Sequence, residues 1–381
     1  MSTEIGADAP ATRRLRRIKG ALEWADDRLG LFGLLGRNRA SINPALEMES
    51  WDAVADGAHN SNTDLIHWNG SFYLAHQTSP YHLGNEESRV VVRRSSDARN
   101  WEKVAEFQGL RGELRDPKFG AIGGRLFLYV LGNVLWQAEP YTTFYTLTED
   151  GNSWRPLEPV EPAGWLFWHP RTNDSTTWYV SAYWHEHGKS ILLKSGDGIE
   201  WSIVSQIYEG ERNDETAIEF LPDGRLIATS RLEGTGGIRG DPLASTLIAV
   251  SSPPFESWSH IKSRVTRLDG PCLFPHDGKV FAAGRYQPGR LPLVGEQGSV
   301  FVRKRTSLFL LEPKRLRRLS DLPSAGDTSY VGAAIVGDSL YLSYYTSRID
   351  RDYPWLLGMF MASNIRMAKI SLASLAAVAE S

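Results

Sequence analysis

The chain has 381 residues, 41% hydrophobic and 23% charged, with a net charge of −3; this suits a globular protein with a large core and gives no overall basic field for nucleic acid. A single cysteine, Cys272, excludes an intramolecular disulfide. No apolar run reaches the length of a transmembrane helix, while 13 Trp and 14 Tyr suit packed sheets and the flat faces of sugars.

The first predicted element lies in an N-terminal extension, residues 1–50. Leu15, Ile18, Leu22, Ala25, Leu29 and Phe32 recur at three- and four-residue spacing, which predicts an amphipathic helix within residues 11–37. It opens on the basic run Arg13-Arg14-Leu15-Arg16-Arg17, and Lys19 to Asp27 is too charged for the apolar core of a signal peptide. A cytoplasmic location is therefore expected, and the helix is free to pack on the chain, on a second copy or on a membrane surface.

Hairpin turns follow at Asn69-Gly70, Gly123-Gly124, Asn173-Asp174, Asp223-Gly224, Asp277-Gly278 and Gly337-Asp338, at intervals of 54, 50, 50, 54 and 60 residues. Gly, Asn and Asp supply positive φ, and each turn leads into a β-rich run: Ser71–His76, Arg125–Leu131, Thr176–Trp184, Arg225–Arg231, Lys279–Arg285 and Ser339–Tyr345. Six such units bury their faces by stacking about an axis. The expected fold class is all-β: a six-bladed β-propeller over residues 51–372, preceded by the helical extension and followed by a tail, 373–381.

A second pattern runs out of phase with the turns. Ser95 to Trp101, Thr148 to Trp154 and Ser195 to Trp201 each place Ser or Thr two residues before an Asp and Trp four residues after it. The Asp accepts turn amides and the Trp packs beneath the strands. Ser252 to Trp258 repeats the frame without its Asp. These segments resemble the Asp-box, or BNR repeat, of the exo-α-sialidase (neuraminidase) superfamily. They mark the fold and sit on the outer rim.

Antiparallel pairing brings the start of each pre-turn strand and the end of the next strand to one end of the propeller. His59 to Asp64, Arg115-Asp116-Pro117, Asn213-Asp214-Glu215 and Asp327 to Tyr330 stand at the starts, and Leu131, Arg231, Arg285 and Tyr345 at the returning ends. The stretch Asn213 to Arg231 looks like the sialidase segment with a buried Glu and a substrate-binding Arg. The stretch Asp327 to Tyr330, followed by Leu340 to Tyr345, looks like the last sialidase blade. The resemblance implies Tyr330 as nucleophile, Glu215 as its base, either Asp64 or Asp116 as the acid, and Arg231 and Arg285 on a substrate carboxylate, with Arg115, His59, Asp327 and Tyr345 as further binding residues.

Sialidases take a third arginine from an Arg-Ile-Pro segment, where this chain has His59-Asn60-Ser61; Arg115 is the possible substitute, and its Arg-Asp-Pro setting is similar to five-bladed glycosidase propellers. His185 and His187 show no third ligand at a metal-site spacing and read as a surface loop, so no metal or cofactor is expected. The expected function is exo-hydrolysis of a terminal acidic, sialic-acid-like sugar. A glycosidase using a carboxylate pair on another sugar, a glycan-binding propeller without turnover and a scaffold assembled through the helix are the alternatives. The expected partner is a carbohydrate or glycoconjugate, with no nucleic acid and no transmembrane segment.

Overall fold

The computed structural model describes residues 10–29, 40–109, 112–133, 141–290 and 295–381. Helix α1 (Pro10–Leu29) touches the sheets where Lys19 Nζ donates to the Pro80 carbonyl at 3.1 Å, and its Ile18 and Trp24 face solvent. Phe32 of the predicted helix lies outside the described residues. Among the described residues, no helix is long and apolar enough to cross a membrane.

The rest is an all-β propeller. Strand β1 (Met48–Val54) is followed by β2 (His59–Trp68), β3 (Ser71–Ser79), β4 (Arg89–Ser95) and β5 (Glu102–Gln108), of which the last four pair in chain order. Three more antiparallel sheets repeat that order: β6 (Glu113–Ile122) to β9 (Glu158–Pro159) with β7 (Arg125–Asn133) and β8 (Thr142–Thr148) between, then β10 (Trp165–Phe167), β11 (Trp178–Trp184), β12 (Lys189–Ser195) and β13 (Ser202–Glu209), then β14 (Asp214–Phe220), β15 (Leu226–Leu232), β16 (Ser245–Ser251) and β17 (Ser259–Ser263). A fourth holds β18 (Asp269–His276), β19 (Lys279–Tyr286), β20 (Arg305–Glu312) and β21 (Arg315–Asp321). Finally β22 (Thr328–Val336), β23 (Ser339–Ser347) and β24 (Ser363–Ser371) take β1 as their outermost partner, which ties the two ends of the domain together.

The turn period predicts six separate blades, whereas the strands form five sheets, four of four strands and one of eight. The difference is a single parallel pairing, His59 with Ser363, which joins β2 to β24. The predicted tail also differs. It is helix α3 (Leu372–Glu380), started by Ser371 accepting from the Ser374 amide and held by buried Leu375 and Val378. The three recurrent turns behave as polar locks: the Oδ1 atoms of Asp97, Asp150 and Asp197 each accept two backbone amides at 2.7–3.0 Å, on the exposed side of the outer strands.

Strands β14, β18, β22, β2 and β6 touch one another in succession about the axis. Each carries the same irregularity. Register slips by one residue between Ser61 and Asp64, Arg115 and Lys118, Asp214 and Ala217, Asp269 and Cys272, and Ser329 and Gly332. The first residue of each slip has positive φ: Asn62 at 47°, Asp116 at 51°, Glu215 at 31°, Gly270 at 60° and Tyr330 at 48°. A bulge of this kind adds one residue on one strand and re-aims a side chain. Below this level the axis is filled. Trp168 crosses it to donate its indole N–H to the Pro271 carbonyl at 2.6 Å, and the Lys118 ammonium lies 4.3 Å from the Trp168 ring centre.

Where β22 meets β2 the backbones approach so closely that a Cβ on Gly332 would fall inside the backbone of Asp64 and Leu65. Gly332→Ala should therefore lower stability by about 1–3 kcal/mol. Gly196→Ala, with no atom within 4 Å of the added carbon, should stay within about 0.5 kcal/mol of wild type. Urea denaturation of both variants checks the difference; equal effects would contradict the close approach.

Candidate functional site

The bulge residues converge. Tyr330 Oη donates to Glu215 Oε1, and Glu215 Oε2 accepts the Gly270 amide at 2.6 Å. Glycine is required at 270 because a Cβ there would stand 2.8 Å from the Tyr330 ring, in a left-handed backbone. Asn62 Nδ2 donates to Asp116 Oδ1 at 2.6 Å. Four of the five left-handed residues thus carry polar side chains that meet in pairs, and the fifth makes room for the Tyr330 ring.

Arginines surround the pair. Arg231 Nη1 lies 2.9 Å from Glu215 Oε1, while its Nε and Nη2 grip both oxygens of Asp214, its partner across the β14–β15 register. Arg285 donates to the Thr328 carbonyl at 2.8 Å, to Tyr345 Oη at 2.7 Å and to Asp269 Oδ2 at 3.3 Å, with its guanidinium 5.5 Å from the Tyr330 ring centre. A third arginine, Arg267, was not singled out by the sequence. It forks onto Asp269 with bonds of 2.7 and 2.9 Å. The signal was there to be used: Asp269 opens β18 as Asp214 opens β14, eight residues before the Asp277-Gly278 turn.

Asp214 fills the Arg231 fork that the resemblance assigns to a ligand carboxylate. Arg115, the possible substitute for the missing arginine, has protein partners of its own. It pairs with Glu113 at 3.1 Å and donates to the His82 carbonyl at 3.3 Å, remaining one-quarter exposed. Asp64 lies deeper than the bulge residues, accepting the Phe119 amide at 2.6 Å and facing His169 Nε2 at 3.1 Å. Burial works to raise its pKa, but His169, Lys118 and that amide hold it below the usual carboxylate range, so it stays an anion. His169 itself is pushed down to about 4 by burial. Tyr345 is fully buried and braces Arg285 and Asp327, donating to Asp327 Oδ1 at 3.0 Å.

Among the described residues, two clusters hold metal-ligand types: His59, His82 and Asp327, and His187, Asp214 and Glu233. His187 lies, as the sequence reading has it, in a loop, between β11 and β12, and from there it reaches Glu233 at 3.1 Å and Asp214 at 3.2 Å.

Above the cluster sits the segment between β23 and β24. It contains the single turn α2 (Trp355–Gly358) and is tied to neighbouring loops by Trp355 N to Val302 O at 3.0 Å and His82 N to Met359 O at 2.8 Å. The Trp355 ring centre lies 4.6 Å from the Arg285 guanidinium. A buried bidentate pair, Arg305 with Asp352, anchors this segment.

Burial lifts the Glu215 pKa to about 7; Arg231 opposes the shift and the charges of Asp214 and Asp269 add to it. Burial, with the charges of Glu215 and Asp116, pushes the Tyr330 phenol well above its ordinary range. A hydroxyl in contact with a carboxyl poised near neutrality can be deprotonated as it reacts.

No family model matches the sequence, and no curated protein matches it. Solved structures do. A Dyadobacter fermentans protein of unknown function superposes with a TM-score of 0.63 at 15% identity, covering 86% of this chain and 100% of its own. A Trypanosoma rangeli sialidase in complex with sialic acid gives 0.62 at 13%, covering 89% of this chain and 61% of its own, so the present chain spans about three-fifths of that enzyme's length. The endosialidase of phage phi92 gives 0.59 at 10%, covering 86% and 69%. At such identities the likeness is one of fold.

Glu215 binds its proton more tightly in the folded chain than in the unfolded one. That contribution to stability is complete below the ordinary value of 4.5 and is lost as pH rises towards about 7. The stability of wild type relative to Glu215→Gln should therefore fall across this window in urea titrations. Parallel pH curves for the two proteins would contradict the raised pKa.

Proposed function

We propose that the protein is an exo-acting glycoside hydrolase in which Tyr330 attacks the anomeric carbon, Glu215 takes the phenol proton and Asp116 protonates the leaving oxygen. The observation that carries this reading is the Tyr330–Glu215 hydrogen bond, made by two side chains from bulges 115 residues apart in the chain. A phenol needs a partner of this kind to act near neutral pH, since its ordinary pKa is about 10. Asp116 is favoured over Asp64 because it occupies a bulge position like its two partners and its charge acts on Tyr330. The fold shared with sialidases supports the assignment, as do the recurrent Asp turns, read as Asp-boxes. The eight-stranded sheet counts in this reading as two blades, β22-β23-β24-β1 and β2 to β5, making six in all.

The nature of the sugar follows less directly from the fold. An acidic sugar such as sialic acid, which the trypanosomal sialidase holds, is the first reading. A neutral sugar cleaved with Glu215 and Asp116 as a carboxylate pair is the second. It is favoured by the occupied arginine forks: Asp214 takes Arg231, and Asp269 takes Arg267. An incoming carboxylate must displace those partners or settle for the remaining donors.

A panel of acidic and neutral aryl glycosides identifies the substrate. On it, Tyr330→Phe should abolish turnover while ligand affinity, followed calorimetrically, stays close to wild type. Glu215→Gln should cost roughly 10²–10⁴-fold in kcat. Asp116→Asn should slow substrates with poor leaving groups far more than those with good ones, whereas Asp64→Asn should slow both alike. An unchanged rate in Tyr330→Phe would replace the tyrosine mechanism by the carboxylate pair, and sugar binding without turnover in wild type would make the protein a lectin.

A further inference from the structure

We infer that His59, His82 and Asp327 form a binding site for one divalent transition-metal ion on the rim of the axial cluster. His59 opens β2, His82 lies in the loop after β3, and Asp327 immediately precedes β22, so three separate segments supply the three groups. His59 Nδ1 stands 2.8 Å from the Met361 carbonyl oxygen, which can only accept; that nitrogen therefore carries the proton. In the neutral ring the Nε2 lone pair then points at Asp327 Oδ2, 3.3 Å away. Two acceptors face each other there, and a cation between them resolves the conflict.

The carboxylate is arranged in the same sense. Its Oδ1 is occupied by the Trp355 indole N–H at 2.7 Å, by Tyr345 Oη at 3.0 Å and by Arg285 Nη2 at 3.5 Å. Oδ2 is left to the imidazoles, with His82 Nδ1 at 2.7 Å. His59 Nε2, His82 Nδ1 and Asp327 Oδ2 are all buried without a well-aligned hydrogen bond, and the three atoms lie within 4.8 Å of one another. His59 and Asp327 are completely buried. A carbonyl on the far nitrogen of a ligating histidine, and donors on the far oxygen of a ligating carboxylate, are the usual outer supports of a metal site.

Two imidazoles and one carboxylate suit zinc or a neighbouring first-row ion, with coordination positions left open, and do not suit the oxygen-seeking calcium or magnesium. The second cluster offers the same ligand types but is filled: Arg231 binds both oxygens of Asp214 and lies 3.5 Å from Glu233, where a cation would otherwise sit. Burial alone therefore does not single out His59, His82 and Asp327. The distinction is that, among the described residues, the arginine beside Asp327 sits on Oδ1, whereas Oδ2 faces the two imidazoles.

The test reads metal, so it succeeds or fails separately from the glycosidase assignment. The full chain, stripped with chelator and dialysed, is titrated with zinc chloride alone in a calorimeter. One zinc per chain is expected. His82→Ala and His59→Gln should each weaken binding by more than the roughly 10–100-fold that loss of a supporting partner costs, with circular dichroism and melting temperature followed for both. His187→Ala should bind as wild type does. Cobalt chloride provides a second measurement on wild type alone, where visible ligand-field bands should appear. Absence of stoichiometric zinc uptake in wild type, or full affinity in both histidine variants, would overturn the site and leave an ordinary His82–Asp327 ion pair.

Discussion

The structure depends on a bulge repeated at one level of five strands around the axis. In a regular strand successive side chains alternate between the two faces of the sheet. An extra residue in a left-handed conformation breaks that alternation, and Asn62, Asp116, Glu215 and Tyr330 meet their neighbours there instead of packing between sheets. Such backbone is costly for a residue with a side chain, on the order of 1–3 kcal/mol each. The surrounding ladders hold it in place. Pairing resumes on both sides of every slip, so the bulges are over-determined by the strands that flank them.

The second constraint is electrical. Arg231, Arg267 and Arg285 are largely or wholly removed from water, and each meets a carboxylate brought in by the residue that opens an inner strand. Removing one partner of such a pair leaves an uncompensated buried charge, which costs about 3–5 kcal/mol. The network therefore both stiffens the site and nearly balances its charge. Glu215 stands at the point where these demands meet. It touches Arg231 and Tyr330 and feels the charges of Asp214 and Asp269, so its proton is held near neutrality while Asp64, deeper in the axis, remains ionised.

Loops lie against the rim of the cluster. Trp355 rests on Arg285 and binds Asp327, and the segment carrying it is pinned by Asp352 to Arg305 and by backbone bonds to loops of the neighbouring sheets. Function gathers on loops when a rigid scaffold fixes their ends. Here the scaffold supplies Tyr330, Glu215 and the arginines, and the loop segment with Trp355 covers Arg285.

The sequence by itself determined the strand pattern and the pairing within each hairpin. Turn residues and alternating β-formers act over a few residues, so runs such as Ser71–His76 and Lys279–Arg285 fall inside β3 and β19, and counting from a turn puts Arg231 opposite Glu215 and Arg285 opposite Gly270, one residue from the Asp214 and Asp269 that the slips bring opposite them. The same count at the fifth turn ends on Gly270, next to Asp269 and three residues from Arg267. What the tertiary structure alone decided is which partner each charged group takes. The Arg231 fork closes on Asp214, Arg115 turns to Glu113, Asp64 sinks to His169, and His59 comes to face His82 and Asp327. Those pairings are set by the one-residue slip in each inner strand and by the offset between neighbouring sheets. Both arise from long-range packing, which a local sequence period does not encode.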